Sequence, residues 1–307
     1  MTLVGALSVL RPGMFTTIQD LGRWGFQSSG VPVSGALDWY SHRAANSLLG
    51  NGVAMATVEV TMIGPHLRFE TDIAFAVTGA EFYLTLDDER IEMNRVIQAP
   101  SGAILKFGAR IRGARAYIAV AGGIDVPDVL GSKSTHVLTV MGGHMGRALR
   151  AGDTIAVGAM SRGEGVNSSA TRFPEPLPLA AGARLRVVPA DTQLFGQLAA
   201  HRFQVSPRSD RMGFRLEGPS LPSAPGGEML SIAVPTGAIQ VPPTGNPILL
   251  MNDHATTGGY AIAATAITAD LPLAGQLAPG DWVEFEVCSM EMAAAELRSR
   301  EAALGPA

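Results

Sequence analysis

Three segments concentrate the side chains with which this chain could do chemistry. In GAIQVPPTGNPILLMNDHATTGGYAIA, from Gly237 to Ala263, an apolar strand (PILLM) delivers Asn252, Asp253 and His254 into a Thr-Thr-Gly-Gly-Tyr turn. Asp253 beside His254 makes an acid/base pair, the hydroxyls of Thr256 and Thr257 can donate, and glycines let a ligand approach the backbone. The same residues can also do no more than close a strand end. SPRSDRMGFRLEGP, from Ser206 to Pro219, gathers Arg208, Arg211 and Arg215 with Ser209 and Asp210. That composition suits bidentate capture of a carboxylate or phosphate by Arg211, with Asp210 orienting it, or equally an exposed, self-paired turn. GVPVSGALDWYSHRAAN, from Gly30 to Asn46, sets Asp38, Ser41, His42 and Asn46 around a helix start. Those groups can hold an anion, or Asp38 can simply cap the helix.

Several other chemistries are excluded. GSKST at 131 lacks the P-loop spacing, so Lys133 reads as a surface or strand-edge lysine, and GGHMG at 142 is not GxGxxG. The six histidines show no metal-ligand spacing and no GxSxG elbow is present, so no metal is expected in this chain. Twenty-seven acidic and 23 basic residues are scattered without runs, which argues against nucleic acid or an anionic membrane as partner. The lone Cys288 forms neither a disulfide nor a CxxC pair and fits a reducing, cytoplasmic setting. No apolar stretch reaches the roughly 20 residues of a membrane span, and the N-terminus lacks a signal pattern.

The elements that must position these groups are short strands. Thirty-six glycines and 20 prolines punctuate a chain that is 47% apolar and 16% charged, which predicts a mainly β protein of barrels or sandwiches with ample core. Three turns echo one another, APSGAILKFG at 99, LRAGDTIAVG at 149 and LAPGDWVEFEV at 278, each with a glycine before an alternating strand. Helices are predicted over 38–49, 191–201 and 289–304, the last seating Met290, Ala294, Leu297 and Ala303 on one face. The Pro-, Ser- and Gly-rich stretch 161–181 reads as a linker, giving one β-domain over 1–160, a second over 182–288 and a terminal helix over 289–307. A second loop, 218–228, reads as a surface loop or a lid.

Taken in order, VLRPGMFTTIQDLGRWG, GVPVSGALDWYSHRAANSLLGN, RAYIAVAGGID, GGHMGRALRAGD, SDRMGFRLEGP, GAIQVP and TTGGY resemble the family that comprises the 5-oxoprolinase C subunit, allophanate hydrolase subunit 2 and KipA, across residues 8 to 287. The resemblance implies two cyclophilin-like β-barrels and similarity to the carboxyltransferase part of biotin-dependent urea carboxylases. It implies a smaller partner similar to KipI and to the 5-oxoprolinase B subunit, a third component of the LamB/YcsF type, and ATP used at the level of the complex. Of the side chains that the resemblance places at the pocket, Gln240, Asp253, Thr256, Thr257, Tyr260 and Ser209-Asp210-Arg211 remain, and the chemistry expected of them has backbone amides near Thr256 to Gly259 polarising a carbonyl.

The chain departs from that family at four positions. Ile232 stands for a Glu, Asn246 for a Gln, Ala255 for a Gln, and Ile262, after Ala261, for a basic residue. The expectation is therefore a divergent member that opens a lactam or another small amide with ATP, Asp253 or His254 handling protons. Two alternatives stand beside it. One is a non-catalytic antagonist of a KipI-like inhibitor of a histidine kinase; the other is a carboxyltransferase served by biotin on a partner.

Overall fold

The computed structural model describes residues 5–159, 175–222 and 230–304, so most of the expected linker and the later part of the 218–228 loop lie outside the described residues. The chain is mainly β, as its punctuated strands predict. It divides into two compact units: Met1–Arg23, Ser34–Pro178 and Ala302–Ala307 form one, Trp24–Val33 and Leu179–Glu301 the other.

The first unit holds β1 (Gly5–Arg11), β2 (Phe15–Gln19), α1 (Trp39–Leu48), β3 (Thr57–Thr61), β4 (His66–Phe69), β5 (Ile73–Leu86), β6 (Glu89–Ile91), β7 (Ile97–Ala99), β8 (Ile104–Val120) and β9 (Thr154–Val157). Nine antiparallel strands run in the order β2-β3-β8-β4-β1-β9, with β5 on β8 and both β6 and β7 on β5. The long β5 and β8 shift register between Gly79 and Leu84, and such bulges bend a sheet, which here curls as a half-barrel around Leu7, Val60, Phe69, Phe75, Leu105 and Ile118.

Helix α1 packs on β5 and β8 and begins where the sequence places a cap. The Asp38 carboxylate accepts from the Ser41 amide at 2.8 Å and from the Ser41 hydroxyl at 2.6 Å. Gly50, at φ +70°, ends the helix in the left-handed conformation that only glycine adopts without strain. Lys133 is held by the Ile124 carbonyl at 3.0 Å and lies 3.6 Å from Asp125.

The second unit holds β10 (Gly182–Pro189), α2 (Thr192–Ala199), β11 (Phe203–Val205), β12 (Gly213–Glu217), β13 (Ile232–Ala233), β14 (Ala238–Val241), β15 (Ile248–Leu250), β16 (Thr257–Gly258), β17 (Ala261–Ala266), α3 (Leu271–Gly275), β18 (Trp282–Val287) and α4 (Met290–Ala303). Seven strands form a closed barrel, β10-β17-β14-β15-β12-β11-β18, sealed by the parallel pairing of β18 with β10. Closure leaves the barrel no free sheet edge. Leu185, Phe203, Phe214, Ile239, Leu249 and Val283 are buried to within 1% and fill it. Strands β13 and β16 form a separate two-stranded ribbon.

Local chemistry sets the other boundaries. Asp191 caps α2 by accepting from the amides of Gln193 and Leu194, both at 2.9 Å. The three echoing turns share one geometry, Gly102, Gly152 and Gly280 each standing two residues before a strand at φ +89°. Helix α4 is rotated from its predicted face: Ala293 and Leu297 pack beside Cys288, Ile267 and Ala269, whereas Met290 is 66% exposed and Ala294 and Ala303 face water. The Glu296–Arg186 ion pair at 3.0 Å holds that side against the barrel. Sequence spacing alone does not separate two overlapping alanine-rich faces. Among the described residues no helix is long and apolar enough to cross a membrane.

Candidate functional site

Strand alternation builds the site. With Phe214 and Leu216 turned into the barrel, Gly213, Arg215 and Glu217 of β12 must face outward. Register then aligns a row across four neighbouring strands, because Arg215 pairs with Ile248, Ile248 with Gln240, and Gln240 with Ile262. These side chains share the outer face of the barrel, where Ile248 and Ile262 join Val234, Ala238 and Leu250 in a small apolar cluster.

Above this row lies a cleft of about 210 Å³. Its polar lining comes from Asp210, Arg215, Gln240, His254 and Thr257, over a floor that includes Ile248 and Leu250. Gln240 is 5% exposed, and its Nε2 is buried without a hydrogen-bond partner among the described residues. A buried amide N–H left unmade costs roughly 1–3 kcal/mol, so an acceptor that reached this group would be stabilised. The ribbon holds it there: a Cβ on Gly258 would collide with Gln240 Nε2, in a space that only glycine leaves.

His254 is fixed by two contacts. Its Nδ1 lies 2.6 Å from the Ala255 carbonyl, which can only accept, so Nδ1 carries the proton. The lone pair of Nε2 therefore accepts from the Thr236 hydroxyl at 3.2 Å. Burial lowers the imidazole pKa, with the Ala255 hydrogen bond and Asp253 opposing it, so the ring is neutral and Nε2 is available as a base.

Arg211 does something other than expected. Its Nε and Nη2 donate to Asp253 Oδ2 and Oδ1 at 2.9 and 3.1 Å, and each side chain of this bidentate pair is 8% exposed. The Asp253 amide also donates to the Arg211 carbonyl at 2.9 Å. Asp253 thus braces the turn that presents His254, with Arg211 as its ion-pair partner. Asp210 does not orient Arg211 either; its carboxylate accepts from the amides of Met212 and Gly213 at 2.8 and 3.3 Å, closing the turn into β12. The arginine that lines the cleft is Arg215, which makes no ion pair among the described residues.

The remaining expected residues scatter. Ser209 accepts from the Arg215 amide at 3.0 Å and so steadies β12. The Thr256 carbonyl accepts from Val234 at 3.1 Å, and Thr257 and Gly258 pair with Ala233 and Ile232, so the TTGG backbone serves the ribbon. Tyr260 lines a second cleft with Asn246, beyond the first. Asp38 and Ser41 belong to the first unit, are buried, and serve the start of α1: Tyr117 accepts from the Asp38 amide at 2.8 Å and donates to Glu59. The outward placement of Arg215, unlike that of Arg211, follows from the period of two in GFRLE.

Comparison with known proteins gives this geometry a setting. The family described as carboxyltransferase domain, subdomain A and B, matches residues 29–287. The chain is 39% identical to the C subunit of 5-oxoprolinase from Escherichia coli strain K12 over 94% of its own length and 93% of that protein's. It is 37% identical to the Haemophilus influenzae protein of the same name, covering 93% of this chain and 92% of that one. The crystal structure of the K. lactis urea amidolyase superposes with a TM-score of 0.91 at 31% identity, over 98% of this chain and 20% of that much longer one.

Proposed function

The chain belongs to the carboxyltransferase-domain family of subdomains A and B, and from that premise we propose that it is the C-type component of an ATP-dependent 5-oxoprolinase-like complex that opens a small lactam or amide. The observation that carries this reading is that Gln240, whose Nε2 is buried without a hydrogen-bond partner among the described residues, lines the same cleft as His254 and Arg215.

In this reading the substrate carbonyl oxygen accepts from Gln240 and its carboxylate lies against Arg215. His254 Nε2 takes a proton from the attacking water and returns one to the departing nitrogen, so the C–N bond breaks with no net proton change. Thr236 releases Nε2 when water takes its place. Negative charge developing on the carbonyl oxygen strengthens the Gln240 hydrogen bond, and removing one such donor typically costs about 10²- to 10³-fold in kcat. Partners of the KipI type and the LamB/YcsF type complete the complex and bring ATP to it.

Of the four departures, one lines this cleft and the other three lie around it. Ala255 shortens its lining, and Ile262 extends its apolar floor at the end of the Gln240 row. Ile232 lies in the ribbon opposite Gly258, and Asn246 lines the neighbouring cleft. A cleft of this volume with an apolar floor suits a carboxylated lactam whose ring methylenes lie on Ile248 and Leu250.

The test is ATP hydrolysis by the chain co-purified with those two partners, with and without 5-oxoproline and its larger-ring homologues. Stimulation by one of these amides supports the reading. A stable complex without stimulation contradicts it and favours the regulatory antagonist. The urea amidolyase likeness at TM-score 0.91 supports a second reading, carboxyl transfer from a biotinylated partner, for which a streptavidin-reactive protein in the same preparation is the discriminating sign.

A further inference from the structure

Beyond the first cleft, on the same outer face, is a second and larger one of about 430 Å³. The two share a wall, Arg215 and Ile248, which are register partners on β12 and β15. Continuing the alternation by two residues brings Glu217, Asn246, Pro242 and Tyr260 to the far side of that wall. Arg208, Leu216 and Thr244 complete the lining.

The charges in this cleft are two guanidinium groups and one carboxylate. The carboxylate is occupied: Glu217 Oε1 accepts from the Ser206 hydroxyl at 2.5 Å and lies 3.7 Å from Arg208 Nη2. That separation exceeds a hydrogen bond, and both side chains are largely exposed, so the pairing is weak and leaves Arg208 able to turn inward. Arg215 has no acidic partner among the described residues. Thr244 and Asn246 add neutral donors, and the half-exposed Tyr260 offers a ring face and a hydroxyl. Paired guanidinium forks with neutral donors match the oxygens of a phosphate or carboxylate.

We propose that this second cleft is an oxyanion subsite that holds the phosphate or carboxylate of a second reactant beside the lactam cleft, with Arg215 shared between the two. The inference rests on the functional reading above only for what occupies the first cleft. Because the two clefts meet at one guanidinium, an anion in the larger one competes with a substrate carboxylate in the smaller one for the same fork.

The experiment is isothermal titration of the full chain at fixed ionic strength with inorganic pyrophosphate and, separately, with malonate. Saturable one-to-one binding of either probe is expected. Pyrophosphate binding alone assigns a phosphate source, and equal binding of malonate a carboxylate source. Arg208→Gln is expected to weaken binding about tenfold or more, the effect of losing one charge-assisted contact of roughly 1.5–3 kcal/mol. Thr244→Tyr, which fills the cleft, is expected to abolish binding, and Gln240→Ala to leave it within about twofold, each variant being checked for an unchanged thermal transition. No binding to the wild-type chain, or binding that both Arg208→Gln and Thr244→Tyr leave intact, overturns the subsite. Amide-stimulated turnover of the complex is read separately, so loss of turnover with pyrophosphate binding retained counts against the lactam reading and not against this one.

Discussion

At the scale of single residues, the site depends on groups that are held, not merely present. The Arg211–Asp253 pair is buried and bidentate, so removing one partner strands a charge. Arg211→Ala or Asp253→Ala is expected to lower stability by about 3–5 kcal/mol in urea denaturation, far more than Asp210→Ala at the exposed turn. The histidines set the pH response. His42 is fully buried and its pKa is lowered to about 4 by that burial, with Arg43 acting the same way and Asp20 opposing. An unfolded imidazole takes up its proton near pH 6.5, so between pH 6.5 and 4 the unfolded chain binds more protons than the folded one. Stability is therefore full above that window and falls by roughly 3 kcal/mol across it. His254 acts in the same direction, since its pKa is also lowered. Urea midpoints from pH 7.5 to 4 check the slope, and His42→Asn should flatten it. Arg215, not Arg211, faces the cleft, and composition alone picks the wrong one. Three arginines in eight residues suit an anion site or a self-paired turn, but only alternation within GFRLE says which one points out of the barrel.

At the scale of elements, the β13–β16 ribbon is what keeps Gln240 buried and unpartnered. Gly258→Ala places a methyl against Gln240 Nε2 and is expected to lower kcat/KM of the complex by at least about tenfold with little change in the thermal transition of the chain. A matched loss of stability would show instead that the ribbon is structural only. Much at this scale was legible in the sequence: the caps at Asp38 and Asp191, the stop at Gly50, and the repeated glycine turns all follow from side-chain chemistry that acts within a few residues. The β13–β16 ribbon was not, because two-residue strands carry no periodicity and their pairing joins Ile232 to Gly258 across 26 positions. The seating of α4 escapes the sequence for a related reason, since its face is chosen by Cys288, Ile267 and Arg186 of the barrel and not by its own pattern.

At the scale of the whole molecule, the comparisons show the family and the geometry offers a cleft. The sequence identifies the family and a mainly β chain, and it names Gln240, His254, Thr257 and Asp210 among the residues that line the cleft. It offers the Asp38 cap only as one of two readings, because capping and anion binding draw on the same residue types. The central claim is that Gln240 donates to the carbonyl of a small amide. Its most direct measurement is 5-oxoproline-stimulated ATP hydrolysis by the reconstituted complex carrying wild-type chain or Gln240→Ala, with co-elution of the components verified for both. The account predicts stimulation in the wild type and a loss of about 100-fold or more in the variant; stimulation of equal size in both would contradict it.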